Sequence, residues 1–190
     1  MLMLVIGVLL WSLVHLSQRL VPDTRARIID RIGEDPYKGV FSVLIIASLV
    51  LIVLGWRGSV PYPVYDAPQW GRAATVLLMA PALILFVAAN MQTNIKLLLR
   101  HPQLTGLILF AIAHLLGNGD RRSVVLFAGL GLWAIAEIVL INMRVGSWKR
   151  PAAVPWMKDL LPLIVGLVLF GGLTWLHPYF TGRPVLLLSP

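Results

Sequence analysis

The chain has 190 residues, 58% hydrophobic and 13% charged, with a net charge of +8 and no cysteine. So little charge cannot cover the surface of a soluble domain of this size. Without cysteine, disulfides, thiolate metal sites, a cysteine nucleophile and covalent haem attachment through a cysteine motif are all excluded.

Six apolar runs come close to the roughly 20 residues that cross hydrocarbon. They lie at about 2–20, 40–56, 71–89, 103–117, 123–141 and 160–176. Runs such as Val43–Leu54 are too continuously apolar to alternate as barrel strands, so the expected fold is all-α: one polytopic membrane bundle of six helices across residues 1–190. The first run has no basic segment and no small-residue cleavage site before Arg19, and is read as a retained helix, not a signal peptide. After it, the mixed charges of Pro22 to Lys38 suggest a short amphipathic helix that Gly33 and Pro36 end.

Trp56 to Trp70 is different in kind. Pro61, Pro63 and Pro68 forbid a helix there, while Trp56, Tyr62, Tyr65 and Trp70 are rings of the type that anchor at a membrane interface. The fourth run is the shortest, bounded by Pro102 and by Asn118-Gly119-Asp120. The glycines of Phe127-Ala128-Gly129-Leu130-Gly131 sit inside the fifth and favour close helix packing.

Charge sets the orientation. Eleven of the 16 Lys and Arg follow the first, third and fifth runs, among them Arg19, Lys96 and Lys149. Five stand on the other side: Arg57, Arg72, Arg121, Arg122 and Arg183. The positive-inside bias places the first group in the cytoplasm and both termini outside. The positive charge is thereby an orientation signal, and nucleic acid is not an expected partner; the lipid bilayer is.

Ionisable and polar groups at membrane depth are the candidate functional residues, because each is costly there. They are His15, His114, Asn118 and Glu137. His15 and Glu137 lie at similar depths near the cytoplasmic ends of their helices, within reach of a hydrogen bond. That bond is either packing glue or the orientation of a ligating imidazole by a carboxylate. His114 shares a helical face with Leu107, Ala111 and Asn118. It is open to three readings: an imidazole satisfied by a backbone carbonyl, a metal or haem ligand, or a proton relay. His101 and His177 each precede a proline at a helix boundary and read as end-capping groups. Two histidines on different helices, His15 and His114, are what bis-imidazole binding of noncovalent haem b needs. Their depths differ by roughly 10 Å at about 1.5 Å per residue, so coaxial ligation requires helix tilt or shifted span boundaries.

Several segments resemble a known family. They are Arg100-His101-Pro102-Gln103-Leu104-Thr105-Gly106, Ala111-Ile112-Ala113-His114-Leu115-Leu116-Gly117-Asn118-Gly119-Asp120, the stretch Ser123 to Ala134, and the loop from Gly55-Trp56-Arg57 through Tyr65-Asp66 to Trp70-Gly71-Arg72. In these the chain resembles the NnrU family of bacterial integral membrane proteins. The resemblance implies a role in the formation or expression of nitrite and nitric oxide reductase activity, with those reductases or their assembly factors as partners. The family is in turn similar to the plant zeta-carotene isomerase, a haem b membrane enzyme. By that likeness His15, in His15-Leu16-Ser17, and His114, in Ala111-Ile112-Ala113-His114, match the axial ligands. Where the isomerase has a redox-active cysteine this chain has Ala111, so thiolate switching does not carry over.

Three functions follow as expectations. One is a haem-b protein supporting denitrification, with His15, His114, Glu137 and Asn118 forming the cofactor site. The others are a haem-dependent cis-trans isomerase of a polyene lipid, and a cofactor-free assembly partner that docks through its basic segments.

Overall fold

The computed structural model describes residues 1–182 and 185, and Arg183 of the orientation count lies outside them. The chain folds as an all-α membrane bundle. Its helices are α1 Leu2–Leu20, α2 Pro22–Ile32, α3 Glu34–Arg57, α4 Gly71–Ala88, α5 Ile95–Leu98, α6 Pro102–Gly117, α7 Arg121–Val145 and α8 Met157–Thr181. Five of these, α1, α3, α4, α7 and α8, are long and apolar enough to cross a membrane. The sixth apolar helix, α6, has 16 residues. At 1.5 Å per residue it is about 24 Å long, short of a hydrocarbon core of about 30 Å.

Each remaining difference from the sequence reading has a local cause. Gly33 ends α2, adopting φ 89°, a conformation open to glycine. Pro36 does not end it: the residue sits in the first turn of α3, where its missing N–H has no partner to lose, so α3 begins six residues before Val40. Within α7 the segment Val124–Ala128 widens to a π-helical turn.

Two compact units organise these helices. Unit 1 comprises residues 1–66 and 118–147; unit 2 comprises residues 67–117 and the chain from 148 onward. In unit 1, α1 packs on both α3 and α7. Leu4 and Val8 of α1 are buried against Ile52 of α3, with Trp56 and Val125 closing the cluster. The helices approach closely because Gly7 and Gly55 carry no side chain. A Cβ on Gly7 would stand 2.8 Å from the Ile52 nitrogen, and one on Gly55 would collide with the Leu4 backbone.

In unit 2, α4 packs on α6 and α8. The Thr75 hydroxyl of α4 lies 2.8 Å from the Gly71 carbonyl of its own helix and donates across to the Ala113 carbonyl of α6 at 2.7 Å. At one end of the unit, Asp159 accepts from the Asn94 amide at 2.7 Å and from the Asn94 side chain at 2.7 Å. Asn94 exchanges two further bonds with the Val154 backbone, at 2.8 and 2.9 Å, and so ties the segment before α8 to the one before α5. Exposed leucines, isoleucines and valines such as Leu13, Val43, Leu77, Leu132 and Val168 form the lipid-facing surface.

Candidate functional site

In unit 1 the residues singled out from sequence fall into an aromatic box. Trp11, His15 and Arg19 recur every fourth residue along one face of α1, and Trp133 and Glu137 do the same on α7. The His15 ring centroid is 4.4 Å from that of Trp11, 5.0 Å from Trp133 and 5.5 Å from Phe41 of α3. The two indoles meet edge to face at 5.6 Å. His15 Nδ1 hydrogen-bonds the Trp11 carbonyl at 2.9 Å, one turn back. With that proton on Nδ1, the neutral ring carries its lone pair on Nε2.

Glu137 is buried on α7, and the group it pairs with is Arg19, whose Nε stands 3.5 Å from its carboxylate. The hydrogen bond from His15 to Glu137 expected from their matching depths is replaced by this ion pair. Arg19 lies one turn beyond His15 on the same face, and a buried carboxylate is stabilised more by a permanent cation than by a neutral imidazole. The box also contains two donors with no acceptor among the described residues: Nε1 of Trp11 and Nε1 of Trp133, both buried. Sequence reasoning passed over Trp11, Phe41 and Trp133. The four-residue spacing of Trp11 from His15, and of Trp133 from Glu137, was the signal that would have found the indoles.

In unit 2, His114 lies on α6 with its Nδ1 on the Phe110 carbonyl at 2.9 Å and its ring 4.2 Å from the Phe110 ring. It lines a cavity of about 60 Å³ with Thr75, Met79, Phe170 and His177. By the measure in which one water needs about 10–15 Å³, that space takes a few waters. His177, read from sequence as a boundary residue, thus shares a cavity with His114, and its Nδ1 is 3.0 Å from the Thr181 hydroxyl.

The helix of His114 ends at Gly117, in the stop signal Asn118-Gly119-Asp120, and the Asn118 backbone carbonyl accepts the Tyr65 hydroxyl at 2.9 Å.

That stop signal is itself a built element. The Gly119 carbonyl accepts the amides of Val64 at 2.8 Å and Tyr65 at 3.2 Å, and the Tyr62 carbonyl accepts the Arg121 amide at 2.8 Å. Any Cβ on Gly119 would run into the Tyr65 carbonyl. Asp120 caps α7, accepting the amides of Arg122 at 3.0 Å and Ser123 at 3.2 Å and the Ser123 hydroxyl at 2.9 Å. Arg122 stacks over the Trp56 ring at 4.7 Å and donates to the Ser59 carbonyl at 3.2 Å. Burial raises the pKa of the Asp120 carboxyl, but the Ser123 hydrogen bonds and the Arg122 charge outweigh it and hold the group below its ordinary value. Burial, and then the Asp120 charge, raise the Tyr65 phenol. The proline-rich loop is fastened here as well as bearing interfacial rings.

Whether these residues suit a metal depends on how many ligands each can gather. Among the described residues no group of three or more His, Cys, Asp or Glu side chains stands ready to hold an ion. In unit 1 His15 and in unit 2 His114 each have Nδ1 on a backbone carbonyl, the kind of contact that orients an imidazole whose other nitrogen ligates a metal.

No curated protein and no solved structure matches the chain. The family model described as NnrU protein matches residues 3–185, nearly the whole length, and the chain belongs to the NnrU family.

Proposed function

We propose that this NnrU-family protein supports denitrification from the bacterial inner membrane, acting in the formation or expression of nitrite and nitric oxide reductase activity. The family match across residues 3–185 carries this reading. Both termini face the periplasm, as the distribution of Lys and Arg favours.

Haem b, held noncovalently by histidine, is the cofactor of this reading, with His15 in unit 1 and His114 in unit 2 each taken by itself as a candidate imidazole ligand. When bound it supplies one-electron redox chemistry. The chain's own residues do the rest. The Trp11 and Phe110 carbonyls fix the two imidazole tautomers, and Trp11, Phe41 and Trp133 restrict the His15 ring. The Arg19–Glu137 pair keeps the neighbourhood of His15 electrically neutral. Ala111, buried in α6, offers no thiolate, so an isomerase that works by thiolate switching is not part of this reading.

Two measurements test the proposal. Deletion in a denitrifying host lowers nitrite and nitric oxide reductase activity, and unchanged activities refute the role. Purified protein supplied with haem shows a Soret band that His15→Ala and His114→Ala each weaken or abolish. A missing band, or one indifferent to both substitutions, refutes the cofactor.

A further inference from the structure

We propose that α2 lies along the membrane surface and binds phospholipid there, with Ile28 and Ile32 set toward the acyl chains and Arg27 and Arg31 on the lipid phosphates. The proposal is independent of haem and of the role in denitrification.

The connections of α2 hold it at the surface. One residue, Val21, separates it from α1, and one, Gly33, separates it from α3. Both neighbours are long and apolar enough to cross the membrane, and they pack on each other. A helix of 11 residues, about 16 Å long and joined so closely to two spans, stays at the level where they emerge.

Its side chains then divide by direction. Pro22, Arg25 and Ile29 are half-buried and every other residue of α2 is exposed. Those three recur at helical spacing on the side that packs on α3 and α1, with Arg25 over the Tyr37 ring at 5.3 Å. Next to that side come Ile28 and Ile32, one turn apart and 40% and 47% exposed. At about 100° per residue, Asp23 and Asp30 stand about 140–180° from the two isoleucines, and Arg27 and Arg31 stand between, at about 60–140°. One placement satisfies all four directions: isoleucines down into lipid, aspartates up into water, the bundle on one side and the arginines on the other, level with the phosphates. Cations bordering the apolar strip are what hold an interfacial helix in its plane. Leu20 and Val21, 53% and 48% exposed, continue the apolar strip to the end of α1.

Charge identifies the lipid group. Arg19 is paired with Glu137 at 3.5 Å and Lys38 with Glu34 at 2.9 Å, and Arg144 donates to the Leu20 carbonyl at 3.4 Å. Arg27 donates to the Asp23 carbonyl and the Thr24 hydroxyl, each at 3.3 Å, and among the described residues neither Arg27 nor Arg31 has a carboxylate within ion-pair distance. Two exposed guanidiniums beside an apolar strip match a phosphate above its acyl chains.

The chain has no cysteine, so single cysteines carry spin labels without background. Full-length Asp23→Cys, Ile28→Cys, Asp30→Cys and Ile32→Cys, labelled in nanodiscs of phosphatidylethanolamine and phosphatidylglycerol, are compared for relaxation by oxygen, which concentrates in lipid, and by a water-soluble nickel chelate. The oxygen-to-nickel ratio is expected to be several-fold higher at the isoleucine positions. Equal ratios at all four positions, or isoleucine positions shielded from both reagents as they would be beneath a second protein, overturn the placement. For the phosphate contact, delipidated full-length protein is titrated with phosphatidylglycerol and the bound lipid counted by native mass spectrometry. Arg27→Gln and Arg31→Gln are each expected to weaken binding about five-fold, and Arg57→Gln, at the far end of α3, to leave it unchanged. Equal binding by wild type and the Arg27→Gln/Arg31→Gln double variant, or displacement of the lipid by inorganic phosphate at matching concentration, overturns the contact. All the substituted side chains are exposed, so the folded protein is available for each comparison.

Discussion

Replacing Asp120 with alanine isolates the cap that starts α7 and fastens the proline-rich loop of unit 1. The carboxylate accepts two backbone amides, at 3.0 and 3.2 Å, and the Ser123 hydroxyl at 2.9 Å. Losing a helix N-cap costs about 1–2 kcal/mol. The ion pair to Arg122, at 3.4 Å between side chains 16% and 13% exposed, adds about 1 kcal/mol because it is screened less than a surface pair. A total of about 2–3 kcal/mol lowers Tm by about 4–12 °C in a chain of this size.

The same residue gives the loss a pH signature. The folded pKa of Asp120 is below its unfolded value, so its contribution is complete above the ordinary carboxylate pKa of about 3.9 and disappears as pH falls through the lower folded value. Thermal unfolding of wild type and Asp120→Ala in detergent, at pH 6 and then at falling pH, checks both parts. The curves are expected to stand apart at pH 6 and to converge below about pH 3.9. A Tm difference under about 1 °C at pH 6, or a gap that does not close in acid, refutes the capping argument.

Gly119→Ala forces a Cβ onto the Tyr65 carbonyl. It is expected to release the loop, with a Tm loss of several degrees and faster protease cleavage near residues 58–66; wild-type cleavage would show that the loop does not need the glycine. In the ion pair at the box, Arg19→Leu is expected to destabilise more than Glu137→Gln. The first leaves a buried carboxylate unpaired, whereas the second leaves a cation whose side chain is 43% exposed and can reach water. The two Tm values compared side by side test this, and the reverse order contradicts it.

Much of the fold was readable residue by residue. The continuous apolar runs gave the spanning helices, because a backbone in lipid has few ways to satisfy itself, and Pro102 with Asn118-Gly119-Asp120 bounded α6 correctly. Pro36 misled, since a proline ends a helix it follows but is tolerated in the first turn of one it opens. The site was less readable. His15, Glu137 and His114 were found because ionisable groups stand out at membrane depth. Trp11 and Trp133 did not, as an apolar ring inside a span looks like any other core residue until its N–H is seen to lack an acceptor.

What the amino-acid sequence determined by itself was the class of protein, its apolar helices, its family and the few ionisable residues that lie at membrane depth. All of these follow from composition, from periodicity along one chain and from motif. Which groups meet was decided only by tertiary structure. It gave Glu137 to Arg19, set His177 beside His114, brought the Tyr65 hydroxyl to the Asn118 carbonyl, and closed two indoles around His15. Such pairings depend on how separate helices are rotated and staggered against one another. That is fixed by close contacts such as Gly7 of α1 against α3 and Gly55 of α3 against α1, and no periodicity within a single helix records it.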